Sequence, residues 1–407
     1  MASEIILINV SGQDKPGLMS MLSESLLEQG AQILDIGQAV IHEDLALGIL
    51  ASVDSENTGE LIKVLRANEA DSTVRITNVS PSDYQAWLEA GGQTRHILTV
   101  LAGSNGAAAL HAVSARTHQF KVNIDSIRRL TDRAIARPID GAAKLCVEMR
   151  VRDLGTELTE LQTQLFQDAD RLGFDFSLQV DTVFRRNRRL VAFDMDSTLI
   201  TEEVMDELAK RHGVGDQVVA ITAQAMAGEI DFQESFRQRA RLLRGMPVQV
   251  LDDVSRSVQL NLGADRLLQA LRHFGYKTAV LSGGFQYVGE HLQRQLGIDY
   301  VFANALEIVD GVMTGEVVGE IVDAERKASL LAEIAEREGI ALQQTIAIGD
   351  GANDLPMLKR AGLGVAFHAK PVVRETASHA ISNFGLDAVL YLIGFSDRDI
   401  DQALTHS

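Results

Sequence analysis

Two short acidic stretches in this 407-residue chain have residue types and spacing suited to chemistry. The first is Phe193-Asp194-Met195-Asp196-Ser197-Thr198, where an apolar run leads straight into two carboxylates. Strand alternation would turn one of them toward an apolar layer, which is costly for a charge without a partner. A carboxylate after a strand also caps helices. Here, however, Ser197 and Thr198 set hydroxyls beside the pair, an arrangement suited to a metal-bound nucleophile and a neighbouring acid. The second stretch is Gly349-Asp350-Gly351-Ala352-Asn353-Asp354, which closes the apolar run Thr345–Ile348. Its glycines permit tight turns, and Asp354 falls in the first turn of a helix, where the dipole favours an anion. If both runs are strands of one sheet, Asp194, Asp350 and Asp354 meet at one edge. Oxygen donors without histidine specify a hard divalent ion such as Mg²⁺.

Two further features have readings of the same kind. Val280-Leu281-Ser282-Gly283-Gly284-Phe285 offers N–H groups and a hydroxyl able to hold phosphate oxygens, although Ser-Gly-Gly also makes an ordinary turn. Lys327 falls early in the expected helix Ala324–Arg337, where a cation opposes the dipole. It is either solvated or faces a bound phosphoryl group.

These residues need a scaffold that delivers strand ends to one edge. Short apolar strands at Leu190–Phe193, Thr278–Leu281, Tyr300–Phe302, Thr345–Ile348 and Gly364–Phe367 alternate with helical segments. That is the pattern of an α/β, doubly wound, mostly parallel sheet. A helical insertion at about 202–272 is longer than a crossover needs. Placed at a strand's C-terminal end, it overlies the crevice where such sheets bind ligands, as a lid or cap would. Within it Arg237, Arg241 and Arg244 form a solvated stripe, whereas Arg239 shares a helical face with Phe232, Phe236 and Leu243. An arginine on an apolar face needs an anion.

In this order the motifs resemble those of the haloacid dehalogenase superfamily of phosphotransferases. From Phe193 to about Ala380, lid included, the chain is similar to the superfamily's phosphoserine phosphatases. The resemblance implies Mg²⁺-dependent hydrolysis of O-phospho-L-serine to L-serine and phosphate, the last step of serine biosynthesis, through an aspartyl-phosphate. It implies Asp194 as nucleophile and Asp196 as general acid and base. Mg²⁺ then falls to Asp194, Asp350 and the backbone carbonyl of Asp196, with Asp354 and the substrate-side Asn353 supporting the metal and Lys327. Ser282, Gly283 and Lys327 face the phosphoryl oxygens. Glu203, which is also readable as a simple first-turn acid, meets the substrate ammonium, and Arg239 meets its carboxylate. Met226 and Phe232 close over the substrate.

Before the basic run Arg185–Arg189, which reads as a solvated linker, the order βαββαβ occurs twice, over Glu4–Val79 and again over Ile97–Val180. Two ferredoxin-like units follow. Expected boundaries are 1–84 and 93–182 for these units and 183–407 for the phosphatase-like domain. The stretch Val10–Leu18 resembles the opening of an ACT domain, a module that binds amino acids across paired interfaces. The resemblance implies a regulatory ligand near Asp14, Gly17, Leu18 and, in the second copy, Gly106. It also implies L-serine as a feedback ligand and a homodimer formed through these domains. The second turn, Gly103-Ser104-Asn105-Gly106, lacks the Pro and Asp of the first. A chain begun near Arg185 is expected to be active but insensitive to serine.

With 46% hydrophobic and 23% charged residues, the chain can bury a core and is not disordered. Its 38 Lys+Arg against 56 Asp+Glu, net −18, repel polyanions, so nucleic acid is excluded as a partner and an anionic substrate needs local cations. No apolar run reaches membrane-spanning length, and the N-terminus has no basic n-region of a signal peptide. The single cysteine, Cys146, excludes an internal disulfide and a cysteine zinc site, and suits a reducing cytoplasm. Two competing readings are another small phosphomonoester as substrate and a non-catalytic amino-acid-binding regulator. The Glu203 and Arg239 pair, suited to a zwitterion, argues against sugar phosphates.

Overall fold

The computed structural model describes residues 3–67, 72–92, 94–132, 144–152, 158–377 and 379–405. It divides into two compact units, Met1–Gln93 and Thr94–Ser407. In the first, β1 (Ser3–Gln13), α1 (Leu18–Glu28), β2 (Gln32–Ile41), β3 (Asp44–Asp54), α2 (Ser55–Ala67), β4 (Ser72–Val79) and α3 (Pro81–Gly91) follow in sequence. The antiparallel sheet has the order β2-β3-β1-β4. Alternation decides its faces: Ile6, Ile8 and Val10 of β1 and Leu45, Leu47, Ile49, Ala51 and Val53 of β3 are buried against Leu22, Leu26, Leu61 and Leu65 of the two helices.

The second unit opens with the same order: β5 (His96–Ala102), α4 (Gly106–Gln119), β6 (Asn123–Arg129), β7 (Leu145–Arg152), α5 (Leu158–Leu172) and β8 (Phe174–Val180). The expected strand from Ala143 and helix from Glu157 begin on positions outside the described residues. The chain continues through β9 (Leu190–Phe193) into lid helices α6 (Val204–His212), α7 (Gly215–Met226), α8 (Phe232–Leu242) and α9 (Val248–Ser257). It then returns as α10 (Ala264–His273), β10 (Lys277–Phe285), α11 (Gln286–Leu296), β11 (Tyr300–Val309), β12 (Val312–Val318) and α12 (Ala324–Arg337). Last come β13 (Thr345–Gly349), α13 (Leu355–Arg360), β14 (Leu363–Phe367), α14 (Pro371–Thr376), β15 (His379–Ile381), α15 (Val389–Leu392) and α16 (Asp397–Thr405). The sequence reading placed α10 within the inserted segment, but it packs against β10 and α16 as a core helix.

All strands of the second unit join one sheet, in the order β12-β11-β10-β9-β13-β14-β15-β8-β5-β7-β6. Strands β11, β10, β9, β13, β14 and β15 run parallel. On β9, Leu190 and Ala192 face one apolar layer while Val191 and Phe193 face the other, as burial on both faces requires. The hairpin partner β12 and the strand β15 lay outside the expected set.

The second repeat is fused to this sheet where β15 pairs with β8. Ser177 Oγ lies 3.0 Å from His379 Nδ1, and Gln179 Nε2 donates to Leu392 O at 2.8 Å. The Asp175 carboxylate accepts the N–H groups of Ser382 and Asn383 at 3.0 and 2.9 Å. The basic run corrects its expectation as a solvated linker. Arg185 is buried and pairs with Glu148 at 2.6 Å, while Arg188, also buried, donates to Gln343 O.

Candidate active site

Parallel pairing puts the ends of β9 and β13 side by side, Phe193 opposite Ile348, so Asp194 and Asp350 leave the sheet at one edge. Asp194 N–H still donates to Ile348 O at 2.9 Å, which holds the first carboxylate in the sheet's register. Lys327, fully buried on the first turn of α12, sets Nζ 2.8 Å from both Asp194 Oδ1 and Asp354 Oδ1. Asp354 Oδ2 accepts Gly351 N–H at 3.0 Å, and Thr198 Oγ1 donates to Asp350 Oδ1 at 3.0 Å. Asp194, Asp350, Asp354 and Lys327 thus come together, and Asp196 Oδ2 and Ser282 Oγ both lie beside Gly284.

The electrostatics follow from several carboxylates sharing one ammonium. Burial would lower the Lys327 pKa, but Asp194 and Asp354 hold it above its ordinary value. Burial, then Asp354, raises Asp194 against the opposing pull of Lys327, and burial with Asp354 raises Asp350 to about 6. Asp196 is also pushed up, by burial and then by Glu203 and Asp194, and its buried Oδ1 has no hydrogen-bond partner among the described residues. That carboxyl therefore carries a proton readily. Oxygens of Asp194, Asp350 and Asp354 lie within 4.8 Å of one another. An all-oxygen, over-negative cluster fits a hard divalent cation such as Mg²⁺.

At the same edge, on β10, which pairs parallel with the other side of β9, Ser282 is buried and its Oγ accepts Gly284 N–H at 2.9 Å. Glycine is required in this cradle by close approach. A Cβ at Gly284 would lie 2.6 Å from Asp196 Oδ2, and one at Gly283 would lie 2.9 Å from Phe232 Cζ. Asn304, buried on β11, fixes the turn by donating to Gly283 O at 2.9 Å and accepting Val322 N–H at 2.7 Å. Neither Asn304 nor the Thr198–Asp350 bond was assigned from sequence, because each partner is distant along the chain and a lone Asn or Thr carries no local signal. Asn353 lies against Gly351, where a Cβ would meet its Oδ1 at 2.2 Å.

In the lid, Glu203 precedes α6 and accepts Ser197 Oγ–H at 2.7 Å. Arg239 lies over the Phe236 ring at 5.9 Å; burial lowers its pKa, opposed by the charges of Asp206, Glu203 and Asp196. Phe232 stacks on Phe236 with centroids 6.2 Å apart. Met226, in contrast, is 73% exposed at the end of α7 and covers nothing.

The regulatory candidates differ between repeats. Gly17 is left-handed at φ 97 with open space around it, Leu18 starts α1, and Asp14 N–H donates to Glu43 O at 2.8 Å. Gly106 is buried, and a Cβ there would meet Leu145 Cδ2 at 2.8 Å, while Asn105 of the same turn donates to Leu172 O and Gly173 O. Packing explains that glycine without a ligand. Among the described residues no helix is long and apolar enough to cross a membrane.

Known proteins supply the comparison. A family profile for haloacid dehalogenase-like hydrolases matches residues 191–359, and one for ACT domains matches residues 4–77. A phosphoserine phosphatase of Streptomyces coelicolor is 40% identical over 98% of this chain and 94% of its own. One of Mycobacterium tuberculosis is 38% identical over 98% of this chain and 95% of its own. Among solved structures, a HAD-family hydrolase of Salmonella enterica serovar Typhi superposes with TM-score 0.63 at 33% identity, covering 74% of this chain and 99% of that one. A probable phosphoserine phosphatase of Vibrio cholerae gives TM-score 0.58 at 30% identity, covering 77% and 89%.

Proposed function

Since the chain belongs to the phosphoserine phosphatase family of haloacid dehalogenase-like hydrolases, we propose that it hydrolyses O-phospho-L-serine through a phosphorylated Asp194. The observation that carries this reading is the buried Lys327 bridging Asp194 and Asp354, beside an Asp196 carboxyl with a bare, buried oxygen. Lys327 orients Asp194 and pulls it toward the ionised form against the raising effect of burial and Asp354, and as a carboxylate it attacks phosphorus while the serine Oγ–P bond breaks. Asp196, favoured in its protonated form, donates its proton to the departing serine oxygen. It then removes a proton from the water that attacks the acyl phosphate, which regenerates Asp194 and releases phosphate. The Ser282 hydroxyl, the Gly283 N–H and Lys327 meet the charge on the phosphoryl oxygens. Mg²⁺ held by Asp194, Asp350 and the backbone carbonyl of Asp196, with Asp354 behind them, would supply charge neutralisation and orientation of the phosphoryl group.

Glu203 and Arg239 present opposite charges across the lid's inner side, matching the ammonium and carboxylate of the substrate, and Met226 with Phe232 would cover it on closure. L-serine bound near Asp14, Gly17 and Leu18 would regulate the enzyme, as a homodimer through its ACT domains. In the phosphatase assay with Mg²⁺, Asp194→Asn should lose at least about a thousandfold in turnover while keeping its circular dichroism. A variant with substantial residual rate would refute the nucleophile.

A further inference from the structure

The chain leaves the catalytic edge for the lid through Thr201–Glu203 and returns from it through Gln259–Asn261. The two crossings are clasped together. Ile200 and Leu260 form an antiparallel bridge, and Thr201 N–H donates to Gln259 O at 2.9 Å. Gln259 N–H donates to the two Glu202 carboxylate oxygens at 3.1 and 3.0 Å. Asn261 completes the clasp. Its backbone N–H donates to Leu199 O at 3.0 Å. Its Nδ2 donates to the carbonyls of Thr198 at 2.8 Å, Ile200 at 3.1 Å and Ser197 at 3.3 Å.

One side chain and its own N–H therefore serve four consecutive carbonyls of the loop that carries Asp196. That loop serves itself only at Met195, whose carbonyl accepts Ile200 N–H at 3.0 Å. Asp196 is extended at φ −66 and ψ 135, and Ser197 is left-handed at φ 58, so no regular helical ladder runs through it. Thr198, Leu199 and Ile200 are buried, where an unpaired carbonyl is costly. A non-glycine residue holds a left-handed backbone when its surroundings over-determine it; here Ser197 donates its hydroxyl to Glu203 at 2.7 Å and its N–H to Glu202 O at 3.3 Å, and Asn261 holds its carbonyl and the next three. The outcome of this geometry is the position of Asp196 Oδ2 against Gly284 of the phosphate cradle.

We propose that Asn261 is a positioning residue for catalysis, fixing the twisted loop that aims the Asp196 carboxyl at the leaving oxygen and shielding that aim from movements of the lid. This inference rests on the reading of Asp196 as the acid that protonates the departing serine oxygen. Asn261→Asp keeps the side chain's shape but removes both amide N–H donors and sets a carboxylate against carbonyl oxygens. Asn261→Ser keeps a shorter donor and carries the comparison if the aspartate variant does not fold.

The discriminating experiment uses the full chain at saturating Mg²⁺ on two esters. Serine leaves as a poor alkoxide that needs a proton, whereas p-nitrophenyl phosphate releases a phenolate that does not. Because Asp196 also serves as base in the hydrolysis of the acyl phosphate, a step both esters share, the comparison is made on the leaving-group step alone, read as the burst of serine or p-nitrophenolate in a rapid-quench single turnover. For Asn261→Asp the rate of serine release should fall by roughly thirtyfold or more, while that of p-nitrophenolate should fall by less than about threefold. Asp196→Asn should show the same split more strongly, and Asn261→Ser should recover part of the loss. An unchanged rate of serine release, or an equal loss in the release step on both esters, would overturn the proposal in favour of a merely structural asparagine. A wild-type protein that releases no phosphate from phosphoserine would instead overturn the reading of function on which it rests.

Discussion

The two βαββαβ repeats share one element order and sit under different constraints. The first is a compact unit of its own, with β2 and β4 as the edges of its sheet. The second gives its edge strand β8 to β15 and becomes part of the catalytic sheet. Their opening turns differ in the same sense: Gly17 has open space around it, while Gly106 is packed against Leu145. A shared fold therefore does not imply a shared task. The first repeat leaves its opening turn uncovered, and the second is built into the phosphatase core's sheet.

The most severe test of that contrast is truncation. A chain begun at Thr94 should keep full turnover on phosphoserine and lose its response to serine. The sequence alone suggested that a chain begun near Arg185 would also be active. The structure argues otherwise, since that cut exposes β15 and strips Glu148 from the buried Arg185. Such a chain should be insoluble or unfold well below the Thr94 version in a thermal melt. Equal stability of the two would dissolve the distinction between the repeats.

A smaller effect is expected from pH. His379 sits in the seam, and burial, aided by the charge of Arg188, lowers its pKa to about 4. Unfolded histidine titrates near 6.5, so between about 6.5 and 4 the unfolded chain takes up a proton that the folded one does not. Stability intact above about 6.5 is therefore lost as pH falls through that window, by at most about 3 kcal/mol. Raised carboxyls such as Asp350 titrate in the same window with the opposite sign, so the slope is read as the difference in denaturation free energy between the Thr94 chain and its His379→Gln variant across this range. The smallest effect concerns the turns. Gly106→Ala must displace Leu145 and should destabilise by about 1–3 kcal/mol. Gly17→Ala meets only its left-handed backbone, about 1 kcal/mol. Loss of serine response should follow Gly17→Ala and not Gly106→Ala.

Local pattern made much of this legible. The strand ends at Phe193 and Ile348, the Ser-Gly-Gly turn and the misplaced cation Lys327 are each visible within a few residues, and so is the repeated βαββαβ order. What remained hidden depends on partners far apart in sequence. Arg185 and Arg188 read as solvated because Glu148 and the Gln343 carbonyl cannot be matched to them without the fold. The pairing of β15 with β8 gave no periodic signal, since His379–Ile381 is only three residues long. Asn261 and Asn304 hold backbone turns, a task that any asparagine in a loop could have. Met226 fell on the expected lid, at the exposed end of α7.

The central claim is a phosphoryl group carried covalently by Asp194. It is tested most directly by mixing the full-length enzyme with phosphoserine labelled in its phosphate, quenching in acid within one turnover and mapping the labelled peptide. The label should sit on the peptide containing Asp194 and be released by hydroxylamine, as an acyl phosphate is. Turnover that proceeds with no labelled protein, or with the label on another residue, would contradict the mechanism.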